Sequence, residues 1–181
     1  MKEKMDFVGG FFSIAFTVAF AMYLVNINVP QSIASWTMWA LLDIFVFVTS
    51  FSAGNKRAWL PLGFAFGAIL VICILFSKSG WKWGFVETVS AVGSGIALVV
   101  WRKLGPRSAI VAIVVAMVIS SIPAVRDAWG QINSEGWWYW AGISFCSVLS
   151  CYGAKAWTIE DRLFPVASFV FNLGMTTILF L

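Results

Sequence analysis

The chain has 181 residues, of which 61% are hydrophobic and only 11% charged, and its mean hydropathy is +0.90. A soluble domain carries about 25% charged residues, so this composition excludes a soluble enzyme, a nucleic-acid binder and a disordered tail. The net charge of +4 reads as the Lys/Arg excess of cytoplasmic loops, because no dense basic block lies beside a helix.

A spanning helix needs roughly 20 predominantly apolar residues. Cut at charges, prolines and polar clusters, the chain yields seven apolar segments. The first is 7–26. The residues before it are both basic and acidic, and no small-residue cleavage site follows, so it reads as a retained helix. A turn around Asn26 to Gln31 leads to the second, 34–54, and Lys56-Arg57 separates that from the third, 59–77. Lys78-Ser79-Gly80 leads to the fourth, 82–101. The run Arg102-Lys103-Leu104-Gly105-Pro106-Arg107 is the clearest break, and the fifth segment is 107–125. A polar stretch from Arg126 to Gly136 precedes the sixth, 137–154. Thr158-Ile159-Glu160-Asp161 resembles a capping box and opens the seventh, 162–181.

Counting Lys and Arg gives an orientation. With seven spans, the N-terminus and the 2–3, 4–5 and 6–7 loops share one side, which holds nine basic residues against three, Lys78, Lys82 and Arg126. The N-terminus is therefore expected in the cytoplasm and the C-terminus outside. Trp36, Trp39, Trp81, Trp83, Trp129, Trp137, Trp138 and Trp140 fall near the expected outer boundary. Trp59, Trp101 and Trp157 fall near the inner one, as in interfacial aromatic belts.

The halves repeat. Trp36-x-x-Trp39-Ala40 opens the second segment and Trp137-x-x-Trp140-Ala141 the sixth, at an offset of 101 that also pairs Thr49 with Ser150. Leu60-Pro61 opens the third and Phe164-Pro165 the seventh, at offset 104. The expected fold is an all-α polytopic membrane protein with two parallel three-helix repeats, 1–78 and 106–181, joined by a linker helix in 79–105. The lone middle helix makes the second unit enter the membrane in the same sense as the first.

This 3+1+3 plan, with Ser120-Ser121-Ile122-Pro123 ending the fifth segment, resembles the SWEET and PQ-loop transporters. The paired W-x-x-W resembles the Pnu-type vitamin transporters of the same architecture. The resemblance implies a solute held between the two units and an Asn in the third helix of a unit as a substrate ligand, which Asn172 matches. Its repeat-related position is Ala68, and that of Pro123 is Met22. The N-terminus-inside orientation suits the Pnu type better than the sugar transporters.

Polar residues at membrane depth are functional candidates by default. Asp43 lies well inside the second segment, where an unpaired carboxylate costs about 2.5–3.5 kcal/mol on insertion scales. It is expected to face the bundle interior and to bind substrate or couple protons. Asn172 lies near the middle of the last segment, and its amide both donates and accepts. Trp39 and Trp140 are candidates to stack on a sugar or heterocycle. Pro123 is a candidate hinge. Glu87 reads as interfacial, and Ser90, Ser94, Ser120, Ser121, Ser144 and Ser147 as polar-path or packing residues. Gly63-x-x-x-Gly67 marks an expected close helix contact. Cys73, Cys146 and Cys151 have no CxxC spacing and the chain has no His, so no metal or other cofactor is expected.

The function expected from these features is transport or facilitation of a small polar solute, sugar or vitamin-like, across a bacterial plasma (inner) membrane. The lipid bilayer is the surrounding partner, no nucleic acid is involved, and a homo-oligomer is compatible. The alternative is a non-transporting membrane subunit or scaffold that holds a partner. A retinal photoreceptor is excluded by the lack of a last-helix Lys at membrane depth. The scarcity of acid–base groups disfavours an enzyme.

Overall fold

The computed structural model of this chain describes residues 4–26, 33–77, 83–130 and 136–181. Lys2, Lys78, Lys82 and Trp81, and the turn through Pro30 and Gln31, lie outside the described residues. Of Ser90, Ser94 and Pro123 only the backbone is described.

Among the described residues there are eight helices and no strand: α1 (Met5–Asn26), α2 (Ile33–Ser52), α3 (Trp59–Leu75), α4 (Phe85–Leu104), α5 (Pro106–Ser120), α6 (Ile122–Trp129), α7 (Trp137–Gly153) and α8 (Ile159–Phe180). The all-helical class is thus observed. Three helices, α1, α2 and α8, are long and apolar enough to cross a membrane, whereas α3 and α5 are apolar but shorter. Large apolar side chains such as Phe11, Met22, Phe66 and Val170 point outward.

Local chemistry sets several boundaries. Gly105 adopts φ +91°, a conformation that favours glycine, and Pro106 follows as the first residue of α5. Glu87, in the first turn of α4, accepts the Gly84 N–H at 2.9 Å. The fifth segment, expected as one helix to 125, divides at Ser121. Pro123 has no N–H to continue the ladder, and Ser121 closes α5 by bonding the Met117 carbonyl through both its N–H (3.0 Å) and its hydroxyl (2.7 Å). The expected capping box at Thr158 is not made: Thr158 forms no side-chain cap bond. Asp161 instead accepts the Ala156 N–H at 2.9 Å, which ties the loop to the first turn of α8.

Helix α3 packs between α1 and α2, while α8 packs between α7 and α5. Across these groups α1 packs on α7 and α2 on α5, and α4 lies against α5. Small residues permit the closest approach. A Cβ on Gly67 would come within 2.7 Å of the Thr17 hydroxyl, and one on Gly10 within 2.6 Å of the Trp59 carbonyl. Gly63 backs onto Ser13 and Gly10, so Gly63-x-x-x-Gly67 does mark a close contact, with α1. Ser13 and Thr17 bond carbonyls of their own helix, at 2.7 and 2.8 Å. They therefore pack as small, satisfied groups, the mode that suits helices in lipid.

Polar contacts gather several helix ends. Asp6, at the start of α1, accepts the Ser150 hydroxyl of α7 through one carboxylate oxygen and the Trp59 N–H of α3 (3.1 Å) through the other. It thereby caps α3, whose preceding residue Ala58 has no capping side chain. Asn55 donates to the Glu160 carbonyl at 3.1 Å, and Arg107 pairs with the Glu160 carboxylate. The starts of α1, α3, α5 and α8 and the end of α7 therefore share one end of the bundle.

Two hydrophobic clusters form the core. One gathers Phe20, Trp36, Trp39, Val71, Tyr139, Trp140 and Met175, and the other Leu42, Val46, Leu60, Ile110, Ile113, Cys146 and Phe164. Three tryptophans assigned to the interfacial belt belong to this interior: Trp36, Trp39 and Trp140 are buried. These rings face neighbouring helices and not the outer surface of the bundle. Trp59, Trp83, Trp129, Trp137 and Trp157 are exposed.

Candidate functional site

A cavity of about 80 Å³ lies between the two clusters. A water needs roughly 10–15 Å³ of such space, so the cavity accommodates a small molecule. Its lining comes in helical stripes, one from each of five helices: Trp36, Trp39 and Asp43 of α2; Phe64 and Ala68 of α3; Val114, Met117 and Val118 of α5; Tyr139, Trp140 and Ile143 of α7; Phe164, Ala167, Ser168, Phe171 and Asn172 of α8. Ser121, in the break between α5 and α6, completes it. The i, i+3, i+4, i+7 spacing within each set is that of one helix face.

The four residues singled out as ligands, Asp43, Asn172, Trp39 and Trp140, all line this cavity. Asp43 is the eleventh of the 20 residues of α2, about 15 Å from the helix start at 1.5 Å per residue. Asn172 lies about 20 Å into α8 on the same measure. Both are 3% exposed. The Asp43 Oδ1 and the Asn172 Nδ2 are buried and have no hydrogen-bond partner. One is an acceptor and the other a donor, yet they do not reach each other. A buried polar group left unpartnered costs about 1–3 kcal/mol, and more when charged, so the fold carries two such costs in one cavity.

Aromatic rings form the wall around them. Trp39 and Trp140 meet edge to face at 6.2 Å between centroids, and both contact Phe171, at 6.1 and 5.8 Å. Trp36 braces Trp39 at 5.2 Å, and Tyr139 braces Trp140 at 5.1 Å. Phe64 and Phe164 meet at 5.9 Å. A polar central cavity is the expectation for transport, and here the walls are mostly apolar and aromatic with a few convergent polar groups. That is the usual composition of a small-molecule site.

Of the serines named as a polar path, Ser121 lines the cavity. Ser120 and Ser147 bond carbonyls of their own helices, at 2.8 and 3.0 Å. Sequence reasoning passed over Trp36, Tyr139, Ser168 and Phe171. Trp36 lies seven positions before Asp43 and Ser168 four before Asn172, so each shares a helix face with a residue already chosen, but that spacing alone does not say that the face is buried. Tyr139 and Phe171 have no such spacing to the chosen residues of their helices. Tyr139 adjoins Trp140, and its hydroxyl meets Thr17 of α1. No group of three or more potential metal ligands occurs among the described residues.

Compared with known proteins, the chain matches no protein-family model, no curated protein and no solved structure.

Proposed function

We propose that this chain is a membrane transporter or facilitator for a small solute, held between two three-helix units near mid-membrane. The observation that carries this reading is the aromatic cavity in which Asp43 and Asn172 each present an unpartnered polar atom. A fold that retains such costs at one place reserves them for a ligand that supplies the missing partners. Asp43, from the first unit, and Asn172, from the second, bind the solute, and Trp39 and Trp140 stack against it.

The two units are α1–α3 and α5–α8, the latter counted as three because α5 and the short α6 that follows it form one broken span, with α4 as the linker. Their helix pairings support the repeat. Exchanging α1 with α5, α2 with α7 and α3 with α8 turns the α1–α7 contact into the α5–α2 contact and the α3-centred triplet into the α8-centred one. Such a pseudo-two-fold pair resembles the SWEET and Pnu-like plan, in which the units rock about a central site. The break at Ser121, ahead of Pro123, is where the fifth span bends during that motion. The gathering of Asp6, Asn55, Arg107 and Glu160 at one end is consistent with a common cytoplasmic side in a bacterial inner membrane.

Uptake in proteoliposomes tests the proposal. With radiolabelled glucose, riboflavin and related sugars and vitamins, at least one solute accumulates with the native chain and fails to with Asp43→Ala or Asn172→Ala at equal protein incorporation. Absence of uptake for every solute, together with a stably co-purifying membrane partner, favours the subunit reading instead.

A further inference from the structure

We infer that the cavity takes a small organic ammonium ion bearing both an N–H donor and an oxygen acceptor. The inference rests on the ligand-binding reading above and specifies the solute's chemistry.

Asp43 and Asn172 both line the cavity, and each holds one buried polar atom without a partner, the acceptor Oδ1 of Asp43 and the donor Nδ2 of Asn172. A bridging ligand must therefore present a donor on one side and an acceptor on the other. Among the described lining residues Asp43 is the only charged one and none is basic. An anionic solute would meet the carboxylate with nothing to offset it. A neutral solute offers the Asp43 side chain no counter-charge. An ammonium supplies both the hydrogen bond and the opposite charge. The walls agree: Trp39, Tyr139, Trp140 and Phe171 line the cavity, and aromatic rings attract cations, Trp most strongly.

The test is binding to the 181-residue chain in lipid nanodiscs, followed by calorimetry and tryptophan fluorescence. The probes are dimethylethanolammonium, which has an N–H and a hydroxyl, and isoamyl alcohol, its neutral isostere. The ammonium is expected to bind at least tenfold more tightly. Asp43→Asn, which keeps the shape and removes the charge, should erase that preference. Asn172→Leu should weaken both probes alike, because both offer the same hydroxyl oxygen. Equal affinity for the two probes, no measurable ammonium binding, or a preference that survives Asp43→Asn overturns the assignment. Two outcomes separate it from the transport reading. Asn172-dependent glucose uptake without any ammonium preference removes the assignment and leaves transport standing. Asp43-dependent ammonium binding with no uptake of ammonium or any other solute upholds the assignment and removes transport.

Discussion

Trp39 and Trp140, 101 positions apart in sequence, meet edge to face with ring centroids 6.2 Å apart and planes at 86°. Each occupies the same place in its W-x-x-W-A motif, so the contact joins like positions of the two halves. The pair forms the aromatic end of the cavity that holds Asp43 and Asn172.

That contact should be measurable as a coupling. Edge-to-face pairs contribute about 0.5–1.5 kcal/mol beyond their buried area. In a double-mutant cycle of Trp39→Leu and Trp140→Leu, followed by unfolding in mixed micelles, the coupling energy is expected in that range. Strict additivity of the two substitutions would show that the rings do not support each other.

Function and stability should part at Asn172 and Asp43. Asn172→Leu removes a buried donor that has no partner. It is therefore expected to leave stability unchanged or raise it by about 1 kcal/mol, while solute binding weakens. Asp43→Asn keeps the size of the side chain and is expected to leave stability nearly unchanged while it removes the preference for an ammonium. A fall in melting temperature of more than a few degrees for both variants would mean that these side chains hold the bundle together, and would count against a site kept for a ligand.

At the other end of the molecule Asp6 has the opposite character, with both carboxylate oxygens engaged, by Ser150 and the Trp59 N–H. Asp6→Ala removes the partner of the Ser150 hydroxyl and leaves the Trp59 N–H only its 2.8 Å bond to the Arg57 carbonyl, and is expected to destabilise by about 1–3 kcal/mol. Asp6→Asn should be intermediate, since its amide can still accept from one of the two donors. Equilibrium unfolding of the three proteins in detergent provides the comparison, and near-identical stabilities would refute the capping role.

Two glycines should respond with opposite signs. In Gly10→Ala the new Cβ meets the Trp59 carbonyl oxygen at 2.6 Å, a backbone atom that moves only with α3. The expected loss is about 1–3 kcal/mol, the range for overpacking. Gly95, in the interior of α4, has open space for 4 Å around the point where an alanine methyl would stand. Gly95→Ala should therefore stabilise by about 0.5–1 kcal/mol through helix propensity alone. Thermal unfolding of both variants gives the test, and a Gly10→Ala protein as stable as the native one would contradict the close α1–α3 approach.

Much of the site was legible because buried polar groups are rare in this chain. Among its 20 charged residues, Asp43 is the carboxylate deep inside an apolar segment, and the W-x-x-W repeat marks out Trp39 and Trp140. The face of a helix is less legible. Hydrophobic periodicity fades when apolar residues also cover the lipid side, so nothing in the local pattern distinguishes a buried Trp36 from an exposed Trp137. Pro123 marks the fifth segment as one that can bend, but the apolar run continues through it, and only the backbone ladder shows that α5 stops at Ser120 and α6 starts at Ile122.

Composition and the chemistry local to each segment suffice for an all-helical, lipid-compatible chain, for the approximate limits of its helices, and for the small set of polar residues that apolar surroundings penalise. Packing between helices settles the rest. It brings Asp43 of α2 and Asn172 of α8 to one cavity, leaves their polar atoms short of each other, and buries Trp36, Trp39 and Trp140 among neighbouring helices. Those outcomes depend on how helices distant in sequence meet, through close approaches such as that of Gly67 to Thr17, and no single segment carries that information.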